Sequence, residues 1–179
     1  MLDAGEVDVA VGVPPTESAR ILTRPLFEER FVCILRKDHP AAAKRLTLKR
    51  FLALSHLLVS PENDLFGRVD AVLAKSGMKR RLELALPQMY LAPLVIARSD
   101  LIATLPVGVV AASGHADALA VLPPPITLAP VSFVMAWHRR NGTHPAQRWF
   151  RDFIAAHAPS STGNILNPLM SVDGSAATP

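Results

Sequence analysis

Short apolar runs alternate with amphipathic segments from residue 7 to residue 157, and this limits the fold more than any other feature of the chain. Residues 7–11, "VDVAV", read as a buried strand of parallel type that stops at Gly12. Pro14 and Pro15 then force an irregular loop. Residues 21–37 are extended, with a Pro-broken first part and a clear strand over 31–35. Helical spacing follows over 47–54, a short buried strand over 56–60 ended by Pro61, and an amphipathic helix over 66–75 with Gly77 as its C-cap. Residues 81–86 alternate as a strand and Pro87 breaks it. Further helices are expected over 88–97 and 107–113, and further strands over 101–106 and 131–137. A final helix over 145–157 carries Trp149, Phe150, Phe153 and Ile154 as its expected buried stripe. Strand and helix in alternation predict an α/β fold with a mostly parallel sheet. Residues 159–179 lack periodicity and read as a disordered tail.

Half of the 179 residues are hydrophobic and 19% are charged, so a sizeable core is feasible and wholesale disorder is excluded. The net charge is +4, and seven basic residues fall between positions 30 and 50. No aromatics interleave them as a base-stacking surface needs, so they read as the solvated side of a turn and a helix. The single cysteine, Cys33, excludes an internal disulfide and lies in an apolar run where a thiol is an inert hydrophobe. No apolar run is long enough for a membrane span. Asp3, Glu6 and Asp8 stand where a secretory signal carries positive charge, so a cytoplasmic location is expected.

Catalytic and metal-binding patterns are absent from the sequence. The six histidines form no H-x-H or H-E-x-x-H pair, so no metal is expected, and no cofactor either. Ser60 and Ser132 lack a nucleophile elbow, and Gly12 stands alone before two prolines where a phosphate loop needs several glycines. Arg36-Lys37-Asp38-His39-Pro40, "RKDHP", sets an acid beside a histidine, but adjacent residues orient each other poorly and Pro40 holds His39 away from helix. The stretch reads as the corner leaving a strand. An enzyme is not expected.

That corner opens a resemblance. "GEVDVAVG", "RPLFEE", "FVCILRKDHP" and "HLLVS" occur in the order and spacing found in the effector-binding domain of LysR-type transcriptional regulators. "GRVDAVLAKSGMKRRLELALPQMYLAPLVIARSDLIATLP" and "MAWHRRNGTHPAQRWFRDFI" resemble the same family, nearest to its nodulation-type branch, so that the likeness covers residues 1 to about 158. The resemblance implies a two-lobed α/β fold like a type II periplasmic binding protein, with a small inducer in the cleft between lobes. On this chain it places a partial first lobe at 1–30, the second lobe at 31–137, and a return to the first lobe at 138–158. In that family a helix-turn-helix, a linker helix and an opening strand and helix precede the "VDVAV" strand, where this chain has six residues. The DNA-reading part is therefore expected outside this chain, which reads as a fragment or a late start. No direct nucleic-acid contact by this piece is expected, nor a membrane. The strand over 7–11 would keep an open edge, which favours a homo-oligomer.

Ligands of open α/β sheets sit beyond the carboxyl ends of strands. The expected binding residues are therefore Val13, Pro14, Ser60, Pro61, Pro87, Gln88, Met89 and Pro106. Gln88 offers a polar anchor, Met89 an adaptable apolar wall and Ser60 a hydroxyl. No Arg or Lys lies at a strand end, which points to an aromatic or weakly polar organic inducer. The alternatives are an extracytoplasmic solute-binding protein of the same fold, which would need a secretion signal and two whole lobes, and a truncated remnant without its own activity.

Overall fold

Eight strands divide between two sheets in the computed structural model, which describes residues 1–14, 18–61 and 64–159. Pro15, Glu62 and the expected tail after residue 159 lie outside the described residues. Two units are present. Unit 1 comprises residues 1–29 and 130–159, and unit 2 residues 30–129.

Unit 2 is built on a five-stranded sheet of β3 (Phe31–Arg36), β4 (Ser55–Val59), β5 (Arg81–Leu86), β6 (Ile102–Pro106) and β7 (Leu119–Leu122), in the order β5-β4-β6-β3-β7. Strand β4 runs parallel to both β5 and β6, while β3 runs antiparallel to β6 and β7. The sheet is thus mixed, a correction to the mostly parallel sheet expected. An apolar run shows that both faces of a strand are covered but carries no record of its neighbours' direction.

Both faces are covered here. Val32 and Ile34 face α3 (Ala92–Ile96) and α4 (Val107–Ala112) in one cluster; Cys33 and Leu35 face α1 (Leu48–Ala53) and α2 (Arg68–Ala74) in the other. Local signals set the helix ends. The Thr47 hydroxyl accepts from the Arg50 N–H at the start of α1. Gly77, at φ +66°, lets the Met78 N–H reach back to the Leu73 carbonyl after α2. The helix expected over 88–97 is a 3-10 turn, Met89–Leu91, followed by α3, and Pro93 is tolerated in the first turn of α3.

Arg80, Asp70 and His56 carry polar groups into the interior of unit 2, where His39 and Ser60 are also buried. Arg80 and Asp70 form a buried pair with nitrogen–oxygen distances of 2.8 and 2.7 Å, and Asp70 also accepts from the Gly67 N–H at the start of α2. Burial pushes the Asp70 carboxyl up, but the Arg80 guanidinium and the Gly67 N–H outweigh it and hold the carboxyl below its usual range. His56 is fully buried, with Nε2 2.8 Å from the Phe51 carbonyl and its ring edge-on to Phe51. Burial pulls its pKa down to about 4, against the opposing pull of the Phe51 carbonyl, so the ring is neutral at pH 7.

Unit 1 holds a three-stranded antiparallel sheet, order β1-β8-β2, of β1 (Val9–Gly12), β2 (Ile21–Glu29) and β8 (Val131–His138). Two expectations are corrected. Strand β1 is an antiparallel edge strand with Val11 52% exposed, where a buried parallel strand was expected. Strand β8, expected in the second lobe, pairs with β1 and β2, so the boundary falls between Ala129 and Pro130.

Helix α5 (Pro145–Ala156) lies on the sheet face that carries Trp137, the reverse way round from expectation. Trp149, Phe150 and Phe153 are exposed, Ile154 is half-buried as the expected stripe had it, and the fully buried residue is Arg151. Its guanidinium stacks 4.7 Å over the Trp137 ring and donates to the carbonyls of Asn141 and Gly142. Those bonds satisfy the buried cation and turn the aromatic side outward.

Removing the Asp70 carboxylate strands Arg80 in the core and uncaps α2. Asp70→Ala is expected to cost about 3–5 kcal/mol of stability in urea unfolding. The unfolded chain holds a proton on His56 below pH 6.5 and the folded chain does not until about pH 4. Stability is therefore complete above pH 6.5 and falls as pH drops toward 4, by up to about 3 kcal/mol. His56→Leu should flatten that slope in unfolding curves taken across the window.

Candidate functional site

Parallel pairing brings the carboxyl ends of β5, β4 and β6 together at one end of the unit 2 sheet. Val59 stands opposite Leu86 in the register, and the Ser60 N–H donates to the Leu86 carbonyl at 2.8 Å. Ser60 and Pro61 therefore leave the sheet beside Pro87, Gln88 and Met89. Pro106 ends β6, the neighbour of β4 on its other side. The unit 2 members of the expected set thus share one sheet end. Val13 and Pro14 follow β1 in unit 1, and both are exposed.

Their surroundings differ. Ser60 and Pro106 are buried, while Pro61, Pro87 and Gln88 are exposed and Met89 is half-buried. The Gln88 side chain makes no cap to the 3-10 turn that it opens, so the turn itself does not occupy its amide. The Val107 N–H after β6 donates to the Arg30 carbonyl at 2.9 Å. Neither that N–H nor the one of Ser60 is left for a ligand.

Sequence reasoning missed three residues here. Arg30 precedes β3, and the pairing of Phe31 with Pro106 carries it to the end of the sheet where β6 finishes. Its side chain is exposed, so a cation stands at the strand ends after all, against the expectation of none. Phe66 was placed in a helix starting at residue 66; the helix starts at Arg68, and Phe66 lies in the β4–α2 loop, 62% exposed. Tyr90, in the 3-10 turn directly after β5, is 66% exposed. The signal available was two aromatics in the loops that follow strands 4 and 5. The geometry can offer an apolar ring surface, a neutral amide and one positive charge.

Chemistry elsewhere is accounted for by structure. Arg36 binds Asp38 at 2.6 Å and Asp100 at 2.8 Å, and this Arg36 bond holds the Asp38 carboxyl below its usual range. His39 turns the other way, its Nδ1 accepting from the Ala41 N–H at 3.0 Å. "RKDHP" is a corner pinned by Arg36. Burial pushes the Cys33 thiol up to about 11, with Thr104 as its weak partner at 3.5 Å. A thiol so placed stays protonated and unreactive. Among the described residues no group of three or more His, Cys, Asp or Glu is placed to hold a metal, and no helix is long and apolar enough to cross a membrane.

The LysR substrate binding domain family matches residues 1–159. The chain belongs to this family. It is 35% identical over 162 residues to the HTH-type transcriptional regulator SyrM of Rhizobium meliloti (strain 1021), covering 90% of this chain and 50% of that protein. It is 31% identical over 153 residues to the HTH-type transcriptional activator NahR of Pseudomonas putida, covering 86% and 51%. The LysR domain described here thus spans about half the length of the curated relatives it matches. Its fold matches the crystal structure of the regulatory domain of MexT, a transcriptional activator in Pseudomonas aeruginosa, with TM-score 0.74 and 32% identity over 87% of this chain and 74% of that one. The effector-binding domain of QuiR in complex with shikimate shares the fold at TM-score 0.69 and 18% identity. The architecture is the periplasmic-binding-protein-like α/β fold of LysR effector-binding domains.

Proposed function

We propose that this LysR domain senses a small aromatic carboxylate for a cytoplasmic transcriptional regulator, and that unit 2 holds the ligand beyond the carboxyl ends of β5, β4 and β6. The observation that carries the reading is the meeting of three strand ends with Arg30 at one end of a sheet covered on both faces. A closed sheet leaves its ends as the place where a ligand meets backbone and loop side chains together. Arg30 supplies the charge that a carboxylate needs, Gln88 a directional hydrogen bond, and Met89, Phe66 and Tyr90 the apolar contact. The shikimate complex of the QuiR domain supports a small molecule as the ligand class for this fold.

The domain catalyses nothing in this reading, and its relatives are regulators, not enzymes. Promoter DNA is bound by other parts of the parent regulator, and the parent works as a homo-oligomer. An effector changes transcription only if it binds one state of that assembly better than another.

Thermal-shift measurements with benzoate and cinnamate, against their uncharged amides, test the proposal. A ligand at 100 times its Kd stabilises by about 2.7 kcal/mol, a shift readily seen in melting curves. The acids are expected to raise the midpoint and the amides much less. Arg30→Ala should abolish most of the acid shift while changing the unliganded stability by only about 0.5 kcal/mol, because its side chain is exposed. Equal shifts for acid and amide, or an Arg30→Ala protein that responds as wild type does, would contradict the proposal.

A further inference from the structure

We infer that the end of the unit 2 sheet opposite the proposed effector site is a sequence-independent contact for the phosphate backbone of duplex DNA. Other parts of the parent choose the promoter; this face holds to the backbone beside it. The inference does not depend on the effector reading.

The fold gathers the cations. Strand β3 ends where β6 and β7 begin, with Arg36 opposite Leu119 in register and bound to Asp100 at 2.8 Å. Strand β4 starts beside them, His56 standing opposite Ile102. The segments that enter and leave the sheet at this end carry Lys37, Lys44, Arg45, Lys49, Arg50 and Arg98, and all six are exposed. None of them forms an ion pair among the described residues. Arg50 donates to the Arg45 carbonyl at 2.9 Å, which ties the start of α1 to the turn before it. Nearby acids are already engaged, since Arg36 holds both Asp38 and Asp100, and Asp117 is left. By sequence alone the cations between 37 and 50 read as a solvated side. The sheet adds Arg98 to them and neutralises two of the carboxylates among them.

This surface has charge but no apolar centre. The exposed large apolar residues of unit 2, Leu65, Phe66, Tyr90 and Leu91, all follow β4 or β5 at the other end. A protein partner needs an apolar, closely packed centre with its charges at the rim. Single-stranded nucleic acid needs aromatic rings between the cations. A duplex backbone needs neither, because exposed Lys and Arg neutralise phosphates directly. The sizes also agree. Strands β7, β3, β6 and β4 set the width of this end at about 15 Å. The same length of duplex carries roughly nine phosphate charges, enough to engage every cation here. Within the proposed parent, promoter DNA is tethered to the domain at an effective concentration of about millimolar, so a weak contact suffices.

Fluorescence anisotropy tests this with the full chain and a labelled duplex of about 30 base pairs in scrambled sequence, across salt concentrations. Wild type should bind with a Kd of roughly 10 μM at about 50 mM salt, and log affinity should fall against log salt with a slope of about −4. Lys44→Glu together with Lys49→Glu should weaken binding at least about tenfold and flatten the slope by about two. Arg68→Glu together with Arg148→Glu removes the same charge from exposed sites elsewhere and should keep the affinity within about threefold. Circular dichroism should be unchanged in both pairs, since all four side chains are exposed. Failure to bind at about 50 mM salt would overturn the inference. An equal loss in the two pairs would do so as well, because net charge and not this face would then be responsible. Tighter binding of poly-glutamate than of duplex at equal charge would assign the face to an acidic protein and likewise overturn it.

Discussion

Strands β5, β4 and β6 run in the same direction through unit 2, and the rest of the account depends on this. Parallel neighbours about 4.8 Å apart must finish side by side, so the loops after them gather without any one residue directing it. Parallel strands also need cover on both faces, and β4 and β6 meet that need with near-continuous apolar runs, as does antiparallel β3 beside β6. A sheet so covered has little room for chemistry inside. The polar groups it does hold are matched or neutral: Asp70 against Arg80, and His56 kept uncharged against the Phe51 carbonyl. In the proposed reading, recognition falls to the rim.

Much of this was legible in the residues. Strands β3 and β5, the cap at Gly77 and the break at Pro87 follow from patterns within a few positions of each other. The Ser60 and Gln88 ends were also legible, since the same local breaks mark where strands stop. Pairing partners were not. Strand direction, the membership of β8 in unit 1 and the short strand β7 all depend on contacts far apart in sequence. Arg30 shows the consequence for function. It lies at the amino end of a strand, where no rule about carboxyl ends looks, and antiparallel pairing with β6 brings it to the end of the sheet where β6 finishes.

Helix α5 marks another limit of pattern reading. Periodicity correctly separates an aromatic side from a charged one, but it does not say which side is buried. Here two carbonyls and an indole ring accommodate Arg151 beneath the helix, and the aromatic side faces out. The fit has a cost. The Trp137 indole nitrogen and the Gln147 side-chain oxygen are buried without partners among the described residues. His56 Nδ1 in unit 2 is likewise buried without a partner among the described residues, so neither unit satisfies every polar group it buries.

The most direct measurement of the central claim is an amide-resolved NMR titration of the chain with cinnamate. The account predicts saturable shifts grouped at Arg30, Ser60, Phe66, residues 88–90 and Val107, with the interior of the five-stranded sheet unmoved. Shifts centred on α1, α2 or the Arg36 corner, with those strand-end residues silent, would contradict it.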